Sequence, residues 1–212
     1  MVQALVRIAF AIALSGIAVF GCNSNTVPIP DSPAQSSDGS FASSNTADCL
    51  PAIALVDQHG ATVSLAALKG KPVLIDFIYA NCTSACPVMT SRFAQIANKL
   101  DGDLGAKVTM VSITIDPEHD HPAQLLDYAR TREGDRHGWL LLTGAPADID
   151  AVLHIYQLKR ERESDGTIAH VTSSFLLGAD GKQIRMYDTM EVAPDTVVSD
   201  IDRTFAHAIP NG

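Results

Sequence analysis

The stretch Val73-Leu74-Ile75-Asp76-Phe77-Ile78 constrains the fold of this chain more than any other. A strand with one wet face alternates apolar and polar residues; this one does not, so both of its faces must be covered. Residues 107–115 form a second such run, rich in β-branched side chains and suited to a central strand. Between the two, Val88, Phe93, Ile96, Ala97 and Leu100 recur at helical spacing, and Pro87 marks the first turn, where no N–H partner is needed. Strand, helix and buried strand in that order predict a βαβ unit.

The remaining pattern extends this unit on both sides. Residues 53–56 and 61–64 read as a small hairpin around Gln58-His59-Gly60, followed by a short helical turn at 65–68. Residues 122–132 read as a second helix, 139–143 as a strand and 148–156 as a third helix. Strands at 173–177 and 183–187, joined by Gly178-Ala179-Asp180-Gly181, form a β-hairpin, and a helix over 194–207 closes the domain. The order βαβ, αβα, ββα is that of an α/β, thioredoxin-like fold with an N-terminal hairpin and an insertion.

The N-terminal region reads as an address. A weakly basic start at residues 1–7 leads into an apolar run over 8–20 that ends at Gly21-Cys22. That run is shorter than the roughly 20 residues needed to cross a bilayer, so residues 1–21 read as a signal peptide. Counting in residues 2–5 would restore a membrane-spanning helix, which is the alternative. Val19-Phe20-Gly21-Cys22 resembles a bacterial lipobox, although Phe20 replaces the small residue usual there. On this reading Cys22 is lipidated and anchors the protein to a membrane of the bacterial cell envelope, on its extracytoplasmic side. An ordinary signal peptide with Cys22 incidental is the plainer alternative, and it too exports the domain. Residues 23–48 contain no Lys or Arg and a single aromatic residue, Phe41. So polar a stretch buries too little apolar surface to offset its ordering entropy, so 22–48 read as a flexible tether. One domain, 49–212, remains. The formal net charge of -9 argues against a nucleic-acid partner, because neutralising phosphates needs clustered Lys and Arg.

The chemistry concentrates in Tyr79-Ala80-Asn81-Cys82-Thr83-Ser84-Ala85-Cys86-Pro87. A strand end followed by a helix start puts both sulfurs near unsatisfied backbone N–H groups, which favour thiolate over thiol. Thioredoxin-type redox motifs place two residues between their cysteines; the wider interval here leaves room for a metal ion. An inert local disulfide is the bland alternative. His170 lies in a loop entering the last β-hairpin, which in a thioredoxin-like fold passes over the cysteine turn. Two thiolates and one imidazole suit copper: soft thiolates select Cu(I), and the imidazole also accommodates Cu(II), whereas zinc normally takes a fourth fixed ligand. Cys49, where tether meets domain, is open to three roles: free thiol, tether disulfide or extra ligand.

Landmarks along residues 52–207 resemble the Sco/SenC family of copper-binding proteins, which help assemble the dinuclear copper centre of cytochrome c oxidase. They are Gly70-Lys71 before the first buried strand, the cysteine pair with Pro87, Ile113-Thr114-Ile115-Asp116-Pro117-Glu118, Leu142-Thr143-Gly144, and His170 before Phe175-Leu176-Leu177-Gly178-Ala179-Asp180-Gly181. The resemblance implies that Cys82, Cys86 and His170 are the metal ligands. It also implies that the acceptor is a copper-site subunit of the oxidase or another copper chaperone, and that the activity is copper transfer, reduction of the acceptor's cysteines, or both. Two departures stand out: Ser84 replaces the acidic residue many members carry between the cysteines, and His119 an arginine in the acidic turn. His119 and His121 around Asp120 read as a solvated polar turn, with an auxiliary metal-collecting loop as the alternative. Asp116 reads as a strand-ending cap for the turn at Pro117, or as a group orienting the cysteines.

An extracytoplasmic thiol-disulfide oxidoreductase is the main competing function. In it Cys82 attacks, Cys86 resolves, and the two form a disulfide when oxidised. It needs no His170, and the loop before the last hairpin lacks the proline that such enzymes place opposite their cysteines. A membrane-signalling sensor and a peroxidase fit less well, the first for want of a signalling segment and the second because it needs only one reactive thiol.

Overall fold

The computed structural model describes residues 48–169 and 172–208. The expected signal peptide and the expected tether up to residue 47, with Cys22, lie outside the described residues, as does His170. Among those described, no helix is long and apolar enough to cross a membrane.

A seven-stranded sheet organises the domain, in the order β2-β1-β5-β4-β3-β6-β7. Its centre is β3, Val73–Ile78, and β4, Thr109–Thr114, every residue of which is buried. They pair in parallel from Val73↔Thr109 to Ile78↔Thr114, joined by α1, Ala85–Leu100. The crossover through α2, Pro122–Thr131, brings β5, Trp139–Thr143, parallel to β4 on its other edge. The remaining strands are antiparallel additions. On one side β1, Ala54–Asp57, pairs with β5 and with β2, Thr62–Ser64, and a 3-10 turn at Leu65–Leu68 follows. On the other, β6, Ser173–Leu177, pairs with β3, and β7, Gln183–Asp188, closes the edge. This mixed sheet with flanking helices is the expected thioredoxin-like arrangement.

Alternation along the central strands fills two layers. Phe77 on β3 and Phe175 on β6 meet the ring of Tyr156, just past α3 (Pro146–Ile155), at centroid separations of 5.1 and 4.9 Å. On the opposite face Phe93 of α1 packs against Trp139 at 5.9 Å. Thr90 of α1 and Tyr128 of α2 share a 2.5 Å hydroxyl hydrogen bond, and Lys99 of α1 pairs with Asp195 of α4, Pro194–Ala208. Trp139 donates its indole N–H to Ser112 at 3.0 Å, next to Asp76, the one carboxylate in β3. Helix α1 begins two residues before Pro87, so its buried stripe runs through Cys86, Met89 and Phe93, while Val88 is 42% exposed.

Candidate metal and thiol site

The cysteine loop leaves β3 at Ile78 and enters α1 at Ala85. Two bonds shape it: the Cys82 N–H donates to the Tyr79 carbonyl at 3.2 Å, and the Ala80 N–H to the Asp120 carboxylate at 2.9 Å. Ser84, at the position that caps α1, makes no side-chain cap bond. The Cys82 sulfur does that work instead, accepting the Cys86 N–H at 3.4 Å, with the Ser84 hydroxyl 3.7 Å away.

The two thiols differ sharply in consequence. Burial opposes a Cys82 thiolate, but hydrogen bonds from the backbone and side chains of Cys86 and Ser84 outweigh it and bring the pKa down from 9.0 to about 6. Cys86 moves the other way: its burial, joined by the charges of Cys82 and Asp76, pushes its thiol well above the ordinary range. Both cysteines are free thiols. The sequence expectation that the helix start favours thiolate at both positions therefore holds for Cys82 alone, because Cys86 lies inside the helix and is fully buried. One sulfur is ready at neutral pH to bind a soft metal or attack a disulfide, and the second must first lose a proton.

Of the predicted ligands the structure thus brings together Cys82 and Cys86, while His170 falls outside the described residues. Among those described, no three His, Cys, Asp or Glu side chains are grouped to hold a metal. His119 and His121 form no collecting loop: His119 bonds Asp116 at 2.8 Å, and Asp120 turns inward to accept from Ala80 and, at 2.6 Å, from the Thr114 hydroxyl. Asp120 thereby braces the cysteine loop, a role hidden in the sequence by its two histidine neighbours. Asp116 lies two residues past the end of β4, and its carbonyl accepts the His119 and Asp120 N–H groups of the turn at Pro117, yet its carboxylate also holds Arg162 at 2.5 Å. Cys49 is fully buried and disulfide-bonded, its carbonyl accepting the Tyr156 hydroxyl at 2.8 Å, so the free-thiol and extra-ligand roles fall away. A cleft of about 410 Å³ lies beside the cysteine loop, lined by Tyr79, Asn81, Thr83 and Ser84 and by residues 162 and 165–168. Nothing in the sequence marked Arg162, which sits in the charged run Lys159-Arg160-Glu161-Arg162 and reads as ordinary surface.

A thioredoxin-like domain with two unequal thiols at the start of its first long helix is a soft-metal or thiol-exchange protein by its chemistry. Comparison narrows the class. The SCO1/SenC family profile matches residues 42–206. The SCO1 protein homolog of Bacillus subtilis is 34% identical over 149 residues, spanning 68% of this chain and 77% of its own. ScoI of Bradyrhizobium japonicum, solved with copper bound, is 29% identical with a TM-score of 0.64, over 72% of this chain and 96% of that one. BsSco, described as a member of the Sco family of cytochrome c oxidase assembly proteins with a disulfide switch, is 31% identical with a TM-score of 0.65, over 74% and 93%. The chain belongs to the SCO1/SenC family.

Proposed function

We propose that this protein carries copper through Cys82, Cys86 and His170 and delivers it to the copper-site subunit of a cytochrome c oxidase, directly or through another copper chaperone. The observation that supports this most is the dithiol itself: a buried pair of free sulfurs, one held as thiolate by backbone N–H groups, is a donor set matched to Cu(I). His170 would add the nitrogen donor that admits Cu(II). The copper-bound structure of the Bradyrhizobium relative supports the same cargo.

Thiol reduction of the acceptor is the second reading, and the inequality of the two thiols favours it specifically. Cys82 as thiolate would attack an acceptor disulfide, forming a mixed disulfide and releasing one acceptor thiolate. Deprotonated Cys86 would then attack Cys82, releasing the second acceptor thiol and leaving this protein oxidised by two electrons. One experiment separates the readings. Reduced, copper-loaded protein is mixed with the copper-binding domain of the oxidase subunit, once with its cysteines reduced and once as a disulfide. Copper arriving at the reduced acceptor supports delivery. Thiol release from the oxidised acceptor without copper movement supports reduction.

We further infer a site of action on the extracytoplasmic side of a bacterial membrane, held there by lipid on Cys22, because the segment before Cys22 has the signal-peptide pattern. With Cys82 and Cys86 reduced, Cys22 is also the one intrachain candidate for the Cys49 disulfide, so lipid on Cys22 requires Cys49 to be reduced or paired with another molecule. A single sulfur cannot carry both a lipid and a disulfide, and the intact mass of the mature protein distinguishes the two.

A further inference from the structure

Between α3 and β6 the chain folds back on itself. Arg162 and Ile168 form an antiparallel bridge, the Glu163 N–H donates to the Thr167 carbonyl at 2.7 Å, and the Ala169 N–H to the Glu161 carbonyl at 3.0 Å. In this small hairpin, 161–169, only Ile168 is buried, so apolar packing does little to hold it down. Its fastening is ionic. One terminal nitrogen of Arg162 donates to the Gly166 carbonyl at 2.8 Å, closing the hairpin's own turn, and the other reaches Asp116 at 2.5 Å. The Asp116 side chain is only 4% exposed, so if the arginine withdrew this buried carboxylate would keep His119 as its one side-chain partner, which favours keeping the arginine in place. Just before the hairpin, Arg160 is clamped between Glu118 and Asp150, at 2.6 Å to each.

The hairpin faces the thiols. It supplies one wall of the 410 Å³ cleft through Arg162, Asp165 and Thr167, while Asn81, Thr83 and Ser84 of the cysteine loop supply the other. Cys82, between Asn81 and Thr83, is 2% exposed, so whatever meets its sulfur must approach along this boundary. We infer that Arg162 is a positioning residue that sets the width of the approach to Cys82, pinning the hairpin to Asp116 so that a slender group enters and a bulky one is excluded. This rests on Cys82 being the entry point of the site, as proposed above.

The test uses no metal, so its failure leaves the copper reading standing. Cys82 of the reduced protein is alkylated with N-ethylmaleimide and, separately, with the bulky and equally uncharged N-(1-pyrenyl)maleimide, and the two rates are compared for the parent, Arg162→Ala, Arg162→Lys, Asp116→Asn and the double variant. Both reagents depend alike on the thiolate fraction, so the bulky-to-small rate ratio reads access alone. The ratio should rise about tenfold in Arg162→Ala, the worth of one charge-assisted hydrogen bond. It should rise no further in the double variant and should fall back in Arg162→Lys, with the far-UV circular dichroism of every variant still that of the folded domain. If Asp116→Asn fails to fold, Arg162→Ala still decides, because it truncates an exposed side chain. An unchanged ratio overturns the assignment. So does equal slowing of both reagents, which is what loss of a neighbouring positive charge alone would give.

Discussion

Two acidic protons govern the behaviour of individual residues. In the reduced, metal-free protein the alkylation rate of Cys82 should rise with pH to a plateau with its midpoint at about 6, while Cys86 stays unmodified over the same range. A single midpoint near 9.0, the ordinary thiol value, would show that the backbone N–H groups do not hold the thiolate. Asp76 is the second case. It is fully buried, and among the described residues neither oxygen has a hydrogen-bonding partner. Burial raises its pKa from 3.8 to about 7, and the Ser112 hydroxyl, its register neighbour, eases this only in part. The folded state therefore keeps a proton that the unfolded chain gives up, and Asp76 favours folding below the unfolded value and loses that contribution as pH rises through the folded one. Stability to urea should fall by about 4 kcal/mol more across this window in the parent than in Asp76→Asn. Parallel pH profiles for the two proteins would contradict a protonated Asp76. The run 73–78 announced a buried strand, but not that its one carboxylate would be stranded without a partner, because that depends on which hydroxyls the neighbouring strands place beside it.

At the scale of elements, what the sequence made legible was whatever repeats with a period. The strands at 73–78 and 139–143 and the hairpin around Gly178 emerge within a residue of expectation, because burial on both faces or a tight turn leaves a dense local signal. Helix α1 begins at Ala85, which leaves Pro87 in the first turn as expected, and the Cys82 sulfur supplies the cap that no oxygen side chain provides. The hairpin at 161–169 was not legible: it rests on one bridge and on ion pairs to distant residues, and carries no apolar alternation. Two close approaches fix how these elements join. Gly138, at φ 86°, leads into β5 with its backbone against Gly105, and a Cβ there would lie 2.4 Å from the Gly105 nitrogen. Gly138→Ala should lose about 3 kcal/mol in equilibrium unfolding, from strain and backbone displacement together. Asp120 ties the turn after β4 to Ala80. Asp120→Ala strands the buried Thr114 hydroxyl and frees the cysteine loop, which should cost about 2 kcal/mol and raise the amide exchange rate at Ala80. Unchanged exchange there would remove Asp120 as the brace.

The whole molecule separates frame from chemistry. A central set of buried strands, locked by the Phe77, Phe175 and Tyr156 rings on one face and by α1 with Trp139 on the other, holds the end of β3 still. Another buried acid, Asp200 of α4, ties that helix to β7 through Tyr187 at 2.9 Å and Arg185 at 2.9 Å, and bonds Arg203 on its own helix. The reactive loop projects from that frame, flanked by a turn and a hairpin whose contacts are polar. The fold class and both thiols could be read from the chain, since each depends on local pattern. The unequal acidity of the thiols could not, since it arises from burial depth and from which N–H groups the folded loop turns toward one sulfur. The central claim is a copper site built from both thiols and His170. An anaerobic Cu(I) competition titration of the reduced protein, set beside Cys82→Ala, Cys86→Ala and His170→Ala, tests it most directly. The account predicts one tight equivalent that every substitution weakens; tight binding indifferent to His170, or no tight equivalent in the parent, would contradict it.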